Sequence, residues 1–169
     1  MEKKQYFVRP NGTRVTIPEV ASLIADYIAM NRAGKYDITV GTDSQNFDKT
    51  KMVEVVAVHN VGRGGIFFYR IEYVRRIDSL RQKIQEETQR SLAVADELLL
   101  LVEMALLEKY QLDMNALDVH FQIHCDVGYN GSTRALIQEI VGWVQSLGYE
   151  CCIKPDSYAA SAVADKYSK

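Results

Sequence analysis

The chain has 169 residues and a mass of 19.2 kDa, a length that favours one domain with a sizeable core. Its formal charge of −2 excludes nucleic-acid binding by bulk positive charge, and its ordinary composition excludes collagen-like and disordered proteins. No apolar leader follows Met1, and the most apolar stretch, 92–107, carries three acids. We therefore expect a cytoplasmic protein without a membrane span.

Residues 1–34 are predicted to form an arm and a helix that pack on the rest of the chain. Pro10-Asn11-Gly12 predicts a turn within the arm. Thr16 followed by Pro18 predicts the start of a helix, which should end between Asn31 and Gly34. A protein-interaction module built on this segment is one alternative function.

Residues 35–169 are predicted to form one α/β domain. Three strands come first, over the ranges 37–43, 52–59 and 65–74. A long helix then runs from Leu80 to about Lys109. A strand, a helix, a strand and a helix follow, over the ranges 117–125, 132–147, 149–153 and 157–167. This order predicts a mixed five-stranded sheet, with a three-strand antiparallel meander plus parallel strands, flanked by helices.

Two aspartates fall where predicted strands end. Asp43 and Asp126 each lie on the less apolar face of a strand. If these strands are parallel neighbours, their carboxyl ends coincide, and the two side chains lie close together. Adjacent carboxylates need a proton or a cation between them, and oxygen ligands suit Mg²⁺ or Mn²⁺. The alternative is that each Asp only caps a turn.

The predicted helices offer three further acids. Glu87 lies on the flank of the apolar stripe of the long helix, roughly 60° from its centre. It either turns toward the sheet or stays at the surface with its stem along the stripe. Asp156 falls at the N-cap of the last helix, where capping alone would explain it. Asp165 lies about two turns further along, where solvent exposure is the alternative.

Four stretches of sequence contain these acids. They are Val40-Gly41-Thr42-Asp43-Ser44-Gln45; Glu87 ahead of Ser91-Leu92; His124-Cys125-Asp126-Val127-Gly128 with Asn130-Gly131-Ser132-Thr133-Arg134; and Lys154-Pro155-Asp156-Ser157-Tyr158-Ala159-Ala160-Ser161 with Ala164-Asp165. In this order they resemble the ribonuclease H-like superfamily over roughly residues 35–169. Within it they look like a small bacterial family of uncharacterised proteins, the YkuK type, which the predicted N-terminal helix also fits.

The resemblance implies a nuclease with two Mg²⁺ or Mn²⁺ ions held by four carboxylates. Asp43 would bridge both ions, with Glu87 and Asp126 as further ligands and catalytic residues. For the fourth acid, the segment ending in Asp165 is similar to a signature of cellular ribonucleases H. The segment that begins at Asp156 and continues Ser-Tyr-Ala-Ala is similar to the Asp-x-x-Ala-Ala segment of Holliday-junction-resolvase-like members of the superfamily. We favour Asp165 and keep Asp156 open.

The same resemblance implies a nucleic-acid substrate: RNA, DNA or a hybrid. One ion would activate water, and the other would stabilise the departing 3′ oxygen. The residues implied in substrate binding are Ser44, Gln45, His124, Arg134 and Lys154.

A local basic stretch is the predicted contact surface for that substrate. Residues 63–90 carry seven basic side chains against four acids, an excess of +3, and Tyr69 and Tyr73 are available for base stacking. The alternative is an ordinary solvated surface. The acidic pI of about 5.9 keeps open a second function, a non-catalytic nucleic-acid-binding or scaffold protein on the same fold.

Overall fold

The computed structural model describes residues 6–156, and within this range seven strands form one mixed sheet. The strands are β1 (Tyr6–Val8), β2 (Arg14–Thr16), β3 (Lys35–Asn46), β4 (Thr50–Asn60), β5 (Gly64–Val74), β6 (Asp118–His124) and β7 (Glu150–Cys152). Their order across the sheet is β2-β1-β5-β4-β3-β6-β7. The neighbours β3, β4 and β5 pair antiparallel, whereas β3 with β6 and β6 with β7 pair parallel. The predicted mixed architecture, a meander followed by parallel strands, is confirmed.

The expected count of five strands is wrong, because the N-terminal arm supplies two more. β1 and β2 form an antiparallel hairpin whose turn contains Gly12 at φ 85°, a left-handed conformation that glycine adopts without steric cost. β1 extends the sheet beyond β5 by placing Val8 opposite Tyr69. Phe7 and Val15 are buried in the main core. Each of these strands has only three residues, which is too short for an alternating apolar pattern to predict it from the sequence. Packing of Phe7 and Val15 into the core stabilises them instead.

The first helix, α1 (Ile17–Ala29), begins where Thr16 and Pro18 predict. The Glu19 amide donates to Thr16 Oγ1 over 3.3 Å, and the Thr16 amide donates to the Glu19 carboxylate over 3.0 Å. These reciprocal bonds form a capping box. The inner face of α1 lies in the same hydrophobic core as the sheet.

The long helix, α2 (Leu80–Tyr110), matches the predicted range, which ended at about Lys109. It ends at Gln111, which adopts a left-handed conformation with φ 53°. The helix packs along β3, where the buried hydroxyl oxygens of Thr42 and Ser91 lie 2.8 Å apart. This contact fixes which face of α2 meets the carboxyl half of β3. Neither α2 nor any other described helix is long and apolar enough to cross a membrane.

The third helix, α3 (Ile137–Ser146), is shorter than the helix expected over 132–147. A 3₁₀ turn, Arg134–Leu136, precedes it. The Thr133 hydroxyl accepts a hydrogen bond from the Gly128 amide over 3.0 Å and does not cap the helix. The strand expected over 149–153 is limited to the three residues of β7, and the helix expected over 157–167 lies outside the described residues.

Candidate metal centre

Parallel pairing of β3 with β6 brings two of the predicted acids to one edge of the sheet. The last residues in register are Gly41 and His124, and Asp43 and Asp126 each lie two positions further along their chains. Both carboxylates therefore lie at the carboxyl end of parallel strands, where α/β sheets bind ligands.

The long helix adds a third carboxylate to this edge. Glu87 is buried, with 4% of its surface exposed, although it lies on the flank of the apolar stripe. Ligand atoms of Asp43, Glu87 and Asp126 all lie within 4.8 Å of one another. We call these three residues the carboxylate cluster. Of the two readings that the sequence left open for Glu87, the structure shows the one in which it turns toward the sheet.

The two oxygens of Glu87 have different surroundings. Oε2 accepts a hydrogen bond from the Ser44 hydroxyl, and the Ser44 amide donates to Asp43 Oδ1 over 3.0 Å. Oε1 is buried and has no hydrogen-bond partner among the described residues. Burial raises the pKa of Glu87 well above its usual value; the Ser44 hydrogen bond opposes this, and the charges of Asp43 and Asp126 add to it. The carboxyl therefore favours either a proton or a cation.

The donor set of the cluster fits a hard divalent ion. Every donor atom is a carboxylate oxygen, which Mg²⁺ and Mn²⁺ prefer over nitrogen or sulfur ligands. An ion beside Glu87 Oε1 would also satisfy a buried oxygen that is costly to leave unpaired. Asp43, Glu87 and Asp126 are thus the residues that would hold the metal.

A lysine stands beside the cluster. Lys154 Nζ lies 2.6 Å from Asp126 Oδ1. The hydrogen bond to Asp126 raises the pKa of Lys154; partial burial opposes the rise, and the charges of Asp126, Asp43 and Glu87 add to it. This cation is the nearest described counter-charge to Asp126, and it lies where the resemblance implied a substrate contact.

Of the two candidates for the fourth acid, only Asp156 lies among the described residues. Asp156 is exposed in a turn, where its amide donates to the Ile153 carbonyl over 2.8 Å. It does not belong to the group of three carboxylates found among residues 6–156. Asp165 lies outside the described residues. A fourth ligand therefore stays a prediction.

Of the remaining predicted substrate contacts, Gln45 and His124 lie near the acids along β3 and β6, whereas Arg134 lines a different surface. Gln45 follows Ser44 on β3, and its buried Oε1 has no hydrogen-bond partner in the described part of the chain. His124 is buried at the end of β6, two residues before Asp126. Arg134 is exposed and lines a separate shallow depression with Tyr129.

Two of the seven basic residues in the predicted contact surface, Arg70 and Arg90, lie in an internal ion-pair network, whereas four others are exposed: Arg63, Arg75, Arg76 and Arg81. Arg70 makes a bidentate pair with Glu54, at 2.9 and 3.1 Å, from the directly opposed position on β5. Arg90 on α2 contacts Glu72 and Glu86, each at 2.9 Å, and lies 3.6 Å from Glu54. We call these five residues the ion-pair network. Its arginine side chains are only 13% and 16% exposed, so they cannot contact a nucleic acid freely.

Sequence reasoning missed the role of Glu54, although a signal was present. Glu54 interrupts the apolar run 52–58 of β4, a strand that is almost entirely buried. A buried charge of this kind requires a partner of opposite sign. The arginine directly across the hairpin, Arg70, was the predictable partner once the strands were aligned.

Comparisons with known proteins agree with this arrangement. The family model described as "Ribonuclease H-like" matches residues 19–169 of the chain. The chain is also similar to the "Uncharacterized protein YkuK" of Bacillus subtilis (strain 168), with 33% identity over 174 aligned positions that cover 96% of each chain. No solved structure matches it significantly.

Proposed function

The chain belongs to the ribonuclease H-like family, and from this premise we propose that it is a divalent-metal-dependent nuclease. It would hydrolyse phosphodiester bonds of RNA or DNA with Mg²⁺ or Mn²⁺ held by the carboxylate cluster. The observation that supports this most strongly is the convergence of Asp43, Glu87 and Asp126 within 4.8 Å, from two strands and a helix.

The chemistry of the substrate matches what this edge of the sheet offers. A phosphodiester is an anion, and three carboxylates alone would repel it. Bound divalent ions neutralise phosphate charge and lower the pKa of bound water. The carboxylates would hold such ions, the Ser44 hydroxyl keeps Glu87 oriented, and Lys154 adds a positive charge beside Asp126.

The finer parts of the mechanism are also proposals. A pair of ions would use a fourth acid, for which Asp165 is the favoured residue and Asp156 the other candidate. Because Arg70 and Arg90 are paired internally, recognition of the nucleic acid would depend on the metal site and on the exposed arginines of the 63–90 stretch. Affinity for nucleic acid should therefore be modest and should fall steeply as the salt concentration rises.

A nuclease assay with matched aspartate variants tests the proposal. Purified protein is incubated with Mg²⁺ or Mn²⁺ and with single-stranded, duplex, hybrid and junction substrates. Asp43→Asn should lower the cleavage rate by at least about 100-fold, because it removes a ligand that would be central to the metal site. Asp37→Asn is the matched control, since Asp37 is six residues earlier on the same face of β3.

Two outcomes would contradict the proposal. One is full cleavage by Asp43→Asn, and the other is cleavage that persists in EDTA. Binding without cleavage, unchanged by EDTA and by Asp43→Asn, would instead support the non-catalytic nucleic-acid-binding protein considered from the sequence.

A further inference from the structure

All three cysteines of the chain lie where β6 and β7 end, and all three are free thiols. Cys125 follows β6 and directly precedes Asp126, whereas Cys151 and Cys152 lie on β7. The Sγ atoms of Cys125 and Cys151 are 3.5 Å apart, which is direct contact between the two thiols. The Cys152 thiol has a different neighbour, because its Sγ lies 3.5 Å from Gln122 Oε1. Two thiols therefore touch beside the carboxylate cluster.

The pairing of β6 with β7 makes this thiol pair diagonal. Ile123 lies directly opposite Cys151. Cys125 is two positions beyond Ile123, and alternation along the strands puts both thiols on one face of the sheet. Ideal strand spacing and rise place the Cα atoms of diagonal neighbours roughly 8 Å apart, whereas a disulfide joins Cα atoms about 4.4–6.8 Å apart. A bridge between these thiols must therefore draw the ends of the two strands together.

The strand β7 is the part that can move. In the described part of the chain it is the last strand on its side of the sheet, and it has three residues. The Cys125 amide donates to the Cys152 carbonyl over 2.9 Å, and beyond it the Lys154 amide donates to the Val127 carbonyl over 2.9 Å. Asp126 lies between these two hydrogen bonds. Movement of Cys125 against β7 therefore changes the backbone position of Asp126.

We propose that Cys125 and Cys151 form a reversible oxidation site, in which a hydroperoxide converts the two thiols to a disulfide and the bridge displaces Asp126 from the carboxylate cluster. Cys151 is partly exposed and Cys125 is buried, so a small peroxide reaches Cys151 first. Because the bridge joins diagonal neighbours it is strained, and strained disulfides are readily reduced. Formation of the bridge does not depend on the proposed function, whereas its effect on metal binding rests on that function.

The reaction balances with hydrogen peroxide as the oxidant. The peroxide transfers one oxygen atom to the Cys151 sulfur, which gives a sulfenic acid and a water molecule. The Cys125 sulfur then attacks the Cys151 sulfur, the S–O bond breaks as the S–S bond forms, and the departing hydroxide takes the Cys125 proton as a second water molecule. Two electrons pass from the sulfur atoms to the peroxide oxygens. A thiol reductant reverses the reaction by exchange.

Peptide mass spectrometry tests whether the bridge forms. Reduced, metal-free protein is treated with hydrogen peroxide and digested with trypsin, which can cut at Arg134 between the two cysteines. We expect the two cysteine peptides to be joined with the loss of two hydrogen atoms, and dithiothreitol should separate them. Cys152→Ser is the matched control and should form the same bridge. Cys125→Ala and Cys151→Ala should form none.

Titration calorimetry with Mn²⁺ tests the effect on the carboxylate cluster. The excess peroxide is removed before the metal is added. The oxidised wild type should bind Mn²⁺ at least about 10-fold more weakly than the reduced protein, because Asp126 is no longer held in place. Reduction with dithiothreitol, followed by its removal, should restore the affinity. Cys151→Ala should bind Mn²⁺ like the reduced wild type both before and after peroxide treatment.

The failures of the two proposals look different. Two intact thiols after peroxide treatment, or a bridge that contains Cys152 in place of Cys151, would overturn the oxidation site whether or not the chain binds Mn²⁺. Equal Mn²⁺ affinities of the bridged and reduced proteins would overturn the displacement of Asp126. If the reduced chain binds no Mn²⁺, the metal-dependent function and the effect on metal binding are both wrong, and mass spectrometry still decides whether the bridge forms.

Discussion

The ion-pair network and the carboxylate cluster both include residues of α2, but their buried charges have different partners. In the ion-pair network every carboxylate faces an arginine, and Arg90 alone contacts three of them. In the carboxylate cluster three acids converge, Lys154 pairs with Asp126 and the charge of Lys83 acts on Glu87, and Glu87 Oε1 has no hydrogen-bond partner among the described residues. Glu86 and Glu87, neighbours in sequence, belong to different groups because successive residues of a helix point about 100° apart.

The difference separates structural charge from functional charge. In the ion-pair network each charge has a partner of opposite sign within the protein, so no added ion is required. The network therefore holds α2 against β4 and β5. In the carboxylate cluster the acids repel one another, so the cluster favours binding protons or added cations. Among the described residues, the convergence of three carboxylates and the unpartnered buried oxygen of Glu87 mark this edge of the sheet as the candidate site.

The largest expected effect comes from breaking the balanced network. Glu54→Gln would leave Arg70 and Arg90 buried without their shared partner, and should lower the free energy of unfolding by about 3–5 kcal/mol. Urea denaturation measures this loss. Asp78→Asn is the control, because its pair with Arg76 is exposed and its removal should cost less than about 1 kcal/mol. Equal losses in the two variants would show that the network is no stronger than a surface pair.

Added metal should stabilise the protein by binding to the carboxylate cluster, and it should have no effect through the ion-pair network. At about 100 times its dissociation constant, Mn²⁺ should raise the free energy of unfolding by about 2.7 kcal/mol. The same addition should not stabilise Asp43→Asn. Thermal melts with Mn²⁺ and with EDTA measure the change. An equal response in the wild type and in Asp43→Asn would place the ion somewhere other than the cluster.

The pH dependence of stability without metal should report on Glu87. Burial raises the pKa of this carboxyl above its ordinary value of 4.5 in the folded chain. Folding therefore favours the protonated form, and its stabilising contribution is complete below the unfolded pKa and is lost as the pH rises through the folded pKa. Relative to Glu87→Gln, the wild type in EDTA should melt at progressively lower temperature as the pH rises. A constant difference between the two proteins would contradict this assignment.

The smallest expected effect comes from an exposed pair outside both groups. Asp26 on α1 accepts hydrogen bonds from Lys109 and Tyr110; partial burial raises its pKa, but these bonds outweigh burial and lower it overall. The contribution of Asp26 is therefore present above its unfolded pKa and lost as the pH falls through the folded one. Because the pair is about 40% exposed, Asp26→Asn should cost only about 0.5 kcal/mol in urea denaturation at pH 7. A loss as large as that of Glu54→Gln would mean that burial does not decide the strength of these pairs.

The central sheet could be predicted from the sequence because its strands are long and strongly patterned. The meander of β3, β4 and β5 was recognisable from apolar runs separated by short turns. The hairpin of β1 and β2 was not, because each strand has three residues and depends on Phe7 and Val15 entering a core assembled from distant elements.

The candidate site was predictable in part for the same reason. Asp43 and Asp126 end recognisable strands, so their approach follows from parallel pairing. The orientation of Glu87 depends on how α2 rotates against the sheet, which the Thr42–Ser91 contact fixes and helical periodicity does not. The pairing of Arg70 and Arg90 was missed because a count of charges along the chain contains no information on their partners.

Anomalous diffraction from crystals containing Mn²⁺ tests the central claim most directly. The account predicts an anomalous peak within about 2.5 Å of carboxylate oxygens of Asp43, Glu87 and Asp126. A map with no peak at the cluster, with Mn²⁺ present at millimolar concentration and the three carboxylates in place, would contradict it.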